Sequence, residues 1–312
     1  MADFDFQQRP ERMKSRSAAG AVAAMSCVAA AAAWAADPAP AWQSLTEIVS
    51  ASPASDWRMP DPANTLYLEL PTGRVVIELA PAFAPLHIAN IKTLVAEKYF
   101  DGLTVIRSQD NYVAQWGDRE EKRSLGSAKK TVPSEVERPL GSDLPFTLLA
   151  DRDVYAPIVG FSAGFPVARD AQKIWLAHCY GMVGIGRGND AESANGTQLY
   201  VVNGHSPRHL DRNVPLVGRV LAGMELLSVQ PRGKGALGFY EHPEEGMTIR
   251  SVRLASDVPL AERSKLEAMR TDSVSFAKVV ESRRNCHSEW CKYAAGAIEL
   301  CNVQLPVRLH KD

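Results

Sequence analysis

The stretch Leu103–Asp118, LTVIRSQDNYVAQWGD, limits the possible folds of this chain more than any other. Thr104-Val105-Ile106-Arg107 is rich in strand formers and Ser108-Gln109-Asp110-Asn111 in turn formers, and Tyr112 to Trp116 is strand-like again. Two strands joined by so short a polar turn are expected to pair antiparallel. Side chains alternate along a strand, so Tyr112, Ala114 and Trp116 face one way and Val113 and Gln115 the other. The hairpin gathers an arginine, an aromatic ring and a glutamine around one spot. In an arbitrary strand Arg107 would lie on a solvated face and Gln115 in a polar slot. A functional reading needs support from elsewhere in the chain.

The N-terminus reads as a secretory leader over residues 1–35. Arg9, Arg12, Lys14 and Arg16 precede an apolar run from Ala18 to Ala33, which ends in Ala33-Trp34-Ala35. The run is too short and too weakly apolar for a membrane span, and cleavage is expected after Ala35 or one residue later. Asp3, Asp5 and Glu11 are unusual in such a leader, which points to Met13 as the true start. Cys27 is a poor lipid-attachment site, because Ala-Met-Ser precedes it and the apolar run continues past it. Without the leader the chain keeps 31 basic against 33 acidic residues. No bulk charge or basic–aromatic run asks for nucleic acid or an anionic membrane.

A leader implies a periplasmic or secreted protein and an oxidising compartment. Four cysteines remain beyond it, enough for two disulfides in three possible connectivities. The preferred pairing is Cys286 with Cys291, leaving Cys179 with Cys301 to tie the tail to the preceding β region; the other connectivities stay open. No cysteine or histidine pairs have zinc spacing, so no metal is expected.

Residues 36–63 are rich in Pro, Ala and Ser and read as a linker or packed-on arm. Leu66, Leu68 and Leu70 then share one strand face, Thr72-Gly73 turns, and Val75–Leu79 returns. Pro85 opens a helix whose stripe is Ile88, Ile91, Leu94 and Val95. Arg119–Lys130 reads as a solvated loop, followed by short apolar pieces at Phe146–Ala150, Val159–Phe165 and Ile174–Cys179. Gly184, Gly186 and Gly188 lack a following dinucleotide fingerprint or Gly-Lys-Ser/Thr, so close backbone approach in a strand is expected, not phosphate binding. Gln198–Val202 and Leu216–Val220 read as strands, Gly223–Val229 as a short helix, and Thr248–Leu254 as the closing strand. The uneven stripe Leu260, Leu266, Met269, Val274, Phe276, Val279 and Val280, with a second piece at Glu289–Leu300, predicts a helical appendage over 257–312. That appendage either packs on the preceding domain or offers a surface to client chains or a partner subunit.

Five landmarks appear in one order: Gly73-Arg74-Val75; the helix Pro85-Leu86-His87-Ile88-Ala89-Asn90-Ile91-Lys92-Thr93-Leu94; Arg107…Tyr112-Val113-Ala114-Gln115-Trp116-Gly117-Asp118; Asn195-Gly196-Thr197-Gln198-Leu199-Tyr200-Val201; and Leu210-Asp211…Pro215-Leu216-Val217-Gly218-Arg219-Val220. With them the chain from about Asn64 to Leu254 resembles a cyclophilin-type peptidylprolyl isomerase in a diverged bacterial secreted form. The resemblance implies a mainly β fold over 64–256, a closed antiparallel barrel of about eight strands capped by two helices. It implies that Arg107 is catalytic and Gln115 holds substrate. Tyr112, Val113, Tyr200 and Leu210 would line a proline pocket, and Gln198 with the backbone of Gly186 and Arg187 would grip the flanking peptide. His209 stands where most members carry Trp, and Val214 where His is frequent. Without the indole, weak or no cyclosporin binding is expected.

Such an enzyme needs no cofactor. Rotation about an X–Pro bond must break amide resonance, with a barrier of about 20 kcal/mol, but requires neither proton transfer nor a covalent intermediate. The lack of a Ser/His/Asp or Cys/His set is therefore no objection. His205, His209 and Asp211 have no placed nucleophile and do not make a hydrolase. The expected function is isomerisation of Pro-containing secreted polypeptides. The alternative is a non-catalytic chaperone or assembly factor that binds Pro segments on the same fold.

Overall fold

Helix α1 (Leu45–Ala51) starts at a capping box, in which Ser44 Oγ accepts from Glu47 N at 3.3 Å and the Glu47 carboxylate accepts from Ser44 N at 2.7 Å. The computed structural model describes residues 42–310. The leader, the start at Met13, Cys27 and the first residues of the arm lie outside the described residues. After α1 come β1 (Trp57–Arg58), β2 (Thr65–Leu70), β3 (Gly73–Leu79), α2 (Pro85–Ala96), β4 (Thr104–Ser108) and β5 (Tyr112–Gly117). The segment beyond the solvated loop folds into β6 (Arg138–Pro139), β7 (Thr147–Leu149), β8 (Ile158–Ser162), β9 (Phe165–Arg169) and β10 (Lys173–Leu176). Then follow β11 (Met182–Ile185), β12 (Gln198–Asn203), β13 (Leu216–Ala222), α3 (Met224–Ser228), β14 (Ser251–Leu254), β15 (Leu266–Met269), α4 (Val274–Arg284) and β16 (Val307–Leu309).

Eight strands form one antiparallel sheet in the order β14-β2-β3-β13-β11-β12-β5-β4. The sheet curls until its two edges meet through the segment entering β14. Gly102 N donates to Ile249 O at 2.9 Å, Ile249 N to Leu103 O at 2.7 Å, and Val105 N to Met247 O at 3.0 Å. The alternating Leu66, Leu68 and Leu70 point into this barrel with Val75, Ile77, Leu79 and Trp116. Ile88, Ile91 and Leu94 of α2 and Leu227 of α3 join the same core, so both helices cap it. The fold is mainly β, as the landmarks implied.

α2 has no side-chain N-cap of its own, because Ala84 precedes Pro85. The carboxylate of Glu135, from the segment that follows the solvated loop, takes that place, accepting from Leu86 N at 3.0 Å and from His87 N at 2.9 Å. It thus satisfies donors that no helical carbonyl can reach.

The short apolar pieces that follow the solvated loop are not separate. They belong to a five-stranded antiparallel sheet, β6-β10-β9-β8-β7, packed against the arm and tail. Phe161 of β8 meets Phe276 of α4 edge to face at 4.9 Å, and Trp57 and Trp175 share that second core.

The tail departs from the expected helical appendage. Within residues 257–310 only Val274–Arg284 forms an α-helix. Leu266 and Met269 lie on β15, which sits between β1 and β16 in a small sheet that joins arm to tail. Strand partners outweigh the helical spacing there. The segment from Glu289 toward Leu300 is irregular, because Trp290 (93% exposed) and Tyr293 (92% exposed) find nothing to pack on. A short helix without a buried face is not stable in water. Cys179 is bonded to Cys301, whereas Cys286 and Cys291 are free thiols and do not form the expected second bridge. The thiols are neighbours, and a hydrogen bond with Cys286 holds the Cys291 pKa up.

Candidate active site

A cavity of about 460 Å³ opens on the outer face of β5 and β12. Its position depends on an irregularity in the central hairpin. Val105 pairs with Trp116, but the next pair is Arg107 with Gln115, so Ile106 is bulged out. Regular alternation would have set Arg107 opposite inward-facing Ala114. The extra residue turns the arginine to the outer face beside Gln115, which is how bulges re-aim side chains.

Arg107 is half-buried and held on several sides. Its Nε donates to the carbonyl of Leu237 at 2.7 Å, Nη1 to Gln115 Oε1 at 3.3 Å, and Nη2 to Gln109 Oε1. The guanidinium lies 5.1 Å from the Phe239 ring centroid and 5.4 Å from that of Tyr112. Burial lowers its pKa, opposed by Tyr112 and Tyr200, but an arginine starts so high that it stays charged. Gln115 is buried and passes the network on: its Nε2 donates to Gln198 Oε1 at 2.8 Å, and Gln198 Nε2 donates to the carbonyl of Asp118 at 3.1 Å. A Cβ on Gly186 would lie 2.9 Å from Gln115 Nε2, so a glycine lets the two approach.

The apolar side of the cavity is built from Tyr112, Val113, Tyr200, Leu210 and Val214, with Gly186 and Arg187 along the rim. Tyr112, at the start of β5, leaves the expected alternation and lines the cavity beside Val113. Arg187 is exposed and anchored by Nε donating to the Asn213 carbonyl at 2.9 Å. Arg107, Tyr112, Val113, Gln115, Gly186, Arg187, Gln198, Tyr200 and Leu210, the residues that the resemblance implied, thus line one cavity. His209 is exposed and does not line the cavity. Residues 208–210 form a single 3-10 turn, and Leu210 faces the cavity while Arg208 is buried. Successive residues of such a turn point about 120° apart, which leaves His209 outside.

Leu237 and Phe239 also line the cavity and were not foreseen. They follow the Gly-rich run Arg232-Gly233-Lys234-Gly235, which carries no strand or helix signal. Behind the apolar wall lies a further unforeseen group, His178. Its Nε2 is 2.9 Å from the Tyr200 hydroxyl, and its Nδ1 is 2.9 Å from Asp211 Oδ1. Burial drives the His178 pKa down, against the pull of Asp211.

The fold and cavity together define a barrel protein with a cleft that is apolar on one wall and cationic on the other, suited to a small apolar ring flanked by amide groups. The family model for the cyclophilin-type peptidyl-prolyl cis-trans isomerases matches residues 65–254. A protein of Brucella suis biovar 1 named "Probable peptidyl-prolyl cis-trans isomerase" is 31% identical over 186 residues, covering 59% of this chain and 81% of its own length. A namesake from Brucella abortus is 30% identical over the same length. The crystal structure of cyclophilin AquaCyp293 from Hirschia baltica superposes with a TM-score of 0.66 at 25% identity, covering 82% of this chain and 95% of that one. The chain belongs to the cyclophilin-type peptidyl-prolyl cis-trans isomerases.

Proposed function

We propose that this isomerase acts on X–Pro bonds of secreted or periplasmic polypeptides by non-covalent stabilisation of the twisted imide, with Arg107 as the catalytic group and Gln115 holding the substrate. The observation that carries this reading is the guanidinium of Arg107, fixed by Leu237, Gln115 and Gln109 at the edge of a cavity with an apolar wall. The proline ring sits against Val113, Tyr200 and Leu210. Gln198 and the backbone at Gly186 and Arg187 bind the chain on either side. A donor from Arg107 toward the proline nitrogen favours its pyramidal form and so weakens the partial double bond. That interaction strengthens as the imide twists, and only such differential binding raises the rate. Preorganised donors matter because they need no rearrangement during the reaction; losing one costs on the order of 10²-fold in kcat.

The clients proposed are Pro-containing polypeptides beyond the inner membrane, a context that rests on the leader-like order of residues 1–35. Cyclosporin is expected to bind weakly, since position 209, where the resemblance implies a pocket indole, carries a histidine that is exposed and does not line the cavity. A protease-coupled isomerisation assay on an Ala-Pro peptide tests the reading. The wild type should accelerate the exchange, and Arg107→Ala should lose about 10²-fold in kcat/KM. Peptide binding without acceleration in either protein would replace the enzymatic reading with that of a Pro-segment-binding chaperone.

A further inference from the structure

We propose that His178 is a positioning residue of the proline pocket, fixing the ring of Tyr200 and, through Asp211, the adjoining wall at Leu210. The inference rests on the reading of the cavity as a proline site and assigns a role to a residue that does not itself line it.

The geometry is a buried chain of polar contacts. Asp211 Oδ1 accepts the backbone N–H of His178 at 2.9 Å and faces Nδ1 at 2.9 Å. A carboxylate only accepts, so Nδ1 carries the proton and Nε2 is left to accept the Tyr200 O–H at 2.9 Å. The other oxygen of Asp211 takes Nε of Arg208 at 2.6 Å, and Arg208 in turn bonds both oxygens of Asp153 at 2.9 and 3.3 Å. His178 is 0% and Arg208 2% exposed, so each group must find its partner inside the protein.

A merely satisfied core histidine would not be tied to both sides of one cavity. His178 is bonded to the lining ring of Tyr200 and to the residue that immediately follows Leu210. Gly184 completes the arrangement, because a Cβ there would lie 2.3 Å from the Tyr200 ring. The ring is packed on one side by a bare backbone and pinned at its tip by an imidazole. Asp153 lies between β7 and β8 of the five-stranded sheet, so elements outside the barrel brace the pocket wall.

His178→Asn separates the two links: its amide can stand where Nδ1 stands and keep Asp211, but nothing replaces Nε2. The affinity for a Pro-containing tetrapeptide, titrated by tryptophan fluorescence or by amide shifts, should fall about 3- to 10-fold, the loss expected for one hydrogen bond. KM should rise in step, with a smaller change in kcat. In a Tyr200→Phe background, which has no hydroxyl to hold, adding His178→Asn should cost less than about twofold. Wild-type affinity in His178→Asn, or an equal loss in both backgrounds, overturns the proposal. Should the variants fail to fold, imidazole nitrogen shifts of the wild type give the answer: peptide must move the His178 signals, and unmoved signals overturn it. Binding is read without turnover, so a chain that binds but does not isomerise refutes the enzymatic reading and leaves this test standing.

Discussion

Arg107 stands directly across β4 and β5 from Gln115, and donates to it at 3.3 Å, because Ile106 is bulged out of the ladder. The guanidinium serves Leu237, Gln115 and Gln109 at once. A lysine ammonium keeps the charge but not the planar fork that reaches three acceptors together. Arg107→Lys should therefore lower kcat/KM about 10- to 100-fold while the thermal midpoint stays close to that of the wild type. The coupled isomerisation assay and a thermal scan check this. Activity within twofold of wild type would show that charge alone suffices.

Gly184 lies opposite Tyr200 in the ladder, and its missing Cβ is the space the phenol ring occupies. The ring cannot retreat freely, since His178 holds its hydroxyl. Gly184→Ala forces a buried repacking that should cost about 1–3 kcal/mol of stability and should weaken peptide binding as well. Urea unfolding followed by peptide titration measures both. A wild-type midpoint with unchanged affinity would mean that the pocket floor yields without penalty.

Glu135 caps α2 from a distant loop, taking two backbone donors and lying against His87 Nδ1 at 2.6 Å. Its removal strands two N–H groups at a helix end and a buried ring nitrogen. Glu135→Ala should cost about 1–2 kcal/mol, seen as a lower urea midpoint, with kcat unaltered because α2 lies away from the cavity lining. Glu135→Gln, which keeps one acceptor, should recover part of the loss.

Much of the barrel was legible because its strands alternate cleanly: Leu66, Leu68 and Leu70 fall on one face and do enter the core. Arg107 and Gln115 were legible as types within a hairpin, but the bulge that brings them face to face leaves no mark in the residue pattern. Leu237 and Phe239 were hidden in a Gly-rich loop, where position is set by tertiary contacts. His178 looked like one polar residue in an apolar piece, and its partners Tyr200 and Asp211 are 22 and 33 positions away. The tail misled for a different reason. Spacing that suits a helix also suits a strand when β1 and β16 offer edges to pair with, and pairing wins.

His87 and His178 are both 0% exposed, and burial is the main cause of the lowered pKa of each, opposed by Glu135 and Asp211 respectively. In the unfolded chain both titrate near 6.5. About a pH unit or more above that value the folded and unfolded forms bind the same protons at these sites, so stability is flat. As the pH drops below about 6.5, the unfolded chain takes up protons that the folded one refuses, and stability is lost until the folded-state values are reached. The slope is at most about 1.4 kcal/mol per pH unit for each histidine. The urea midpoint should fall only slightly from pH 7.5 to 6.5, where the unfolded imidazoles are half protonated, and clearly more from 6.5 to 5.5. His178→Asn should remove about half of that pH dependence, since one of two titrating sites is gone. A midpoint unchanged between pH 6.5 and 5.5 would mean that Glu135 and Asp211 hold both rings protonated in the folded protein.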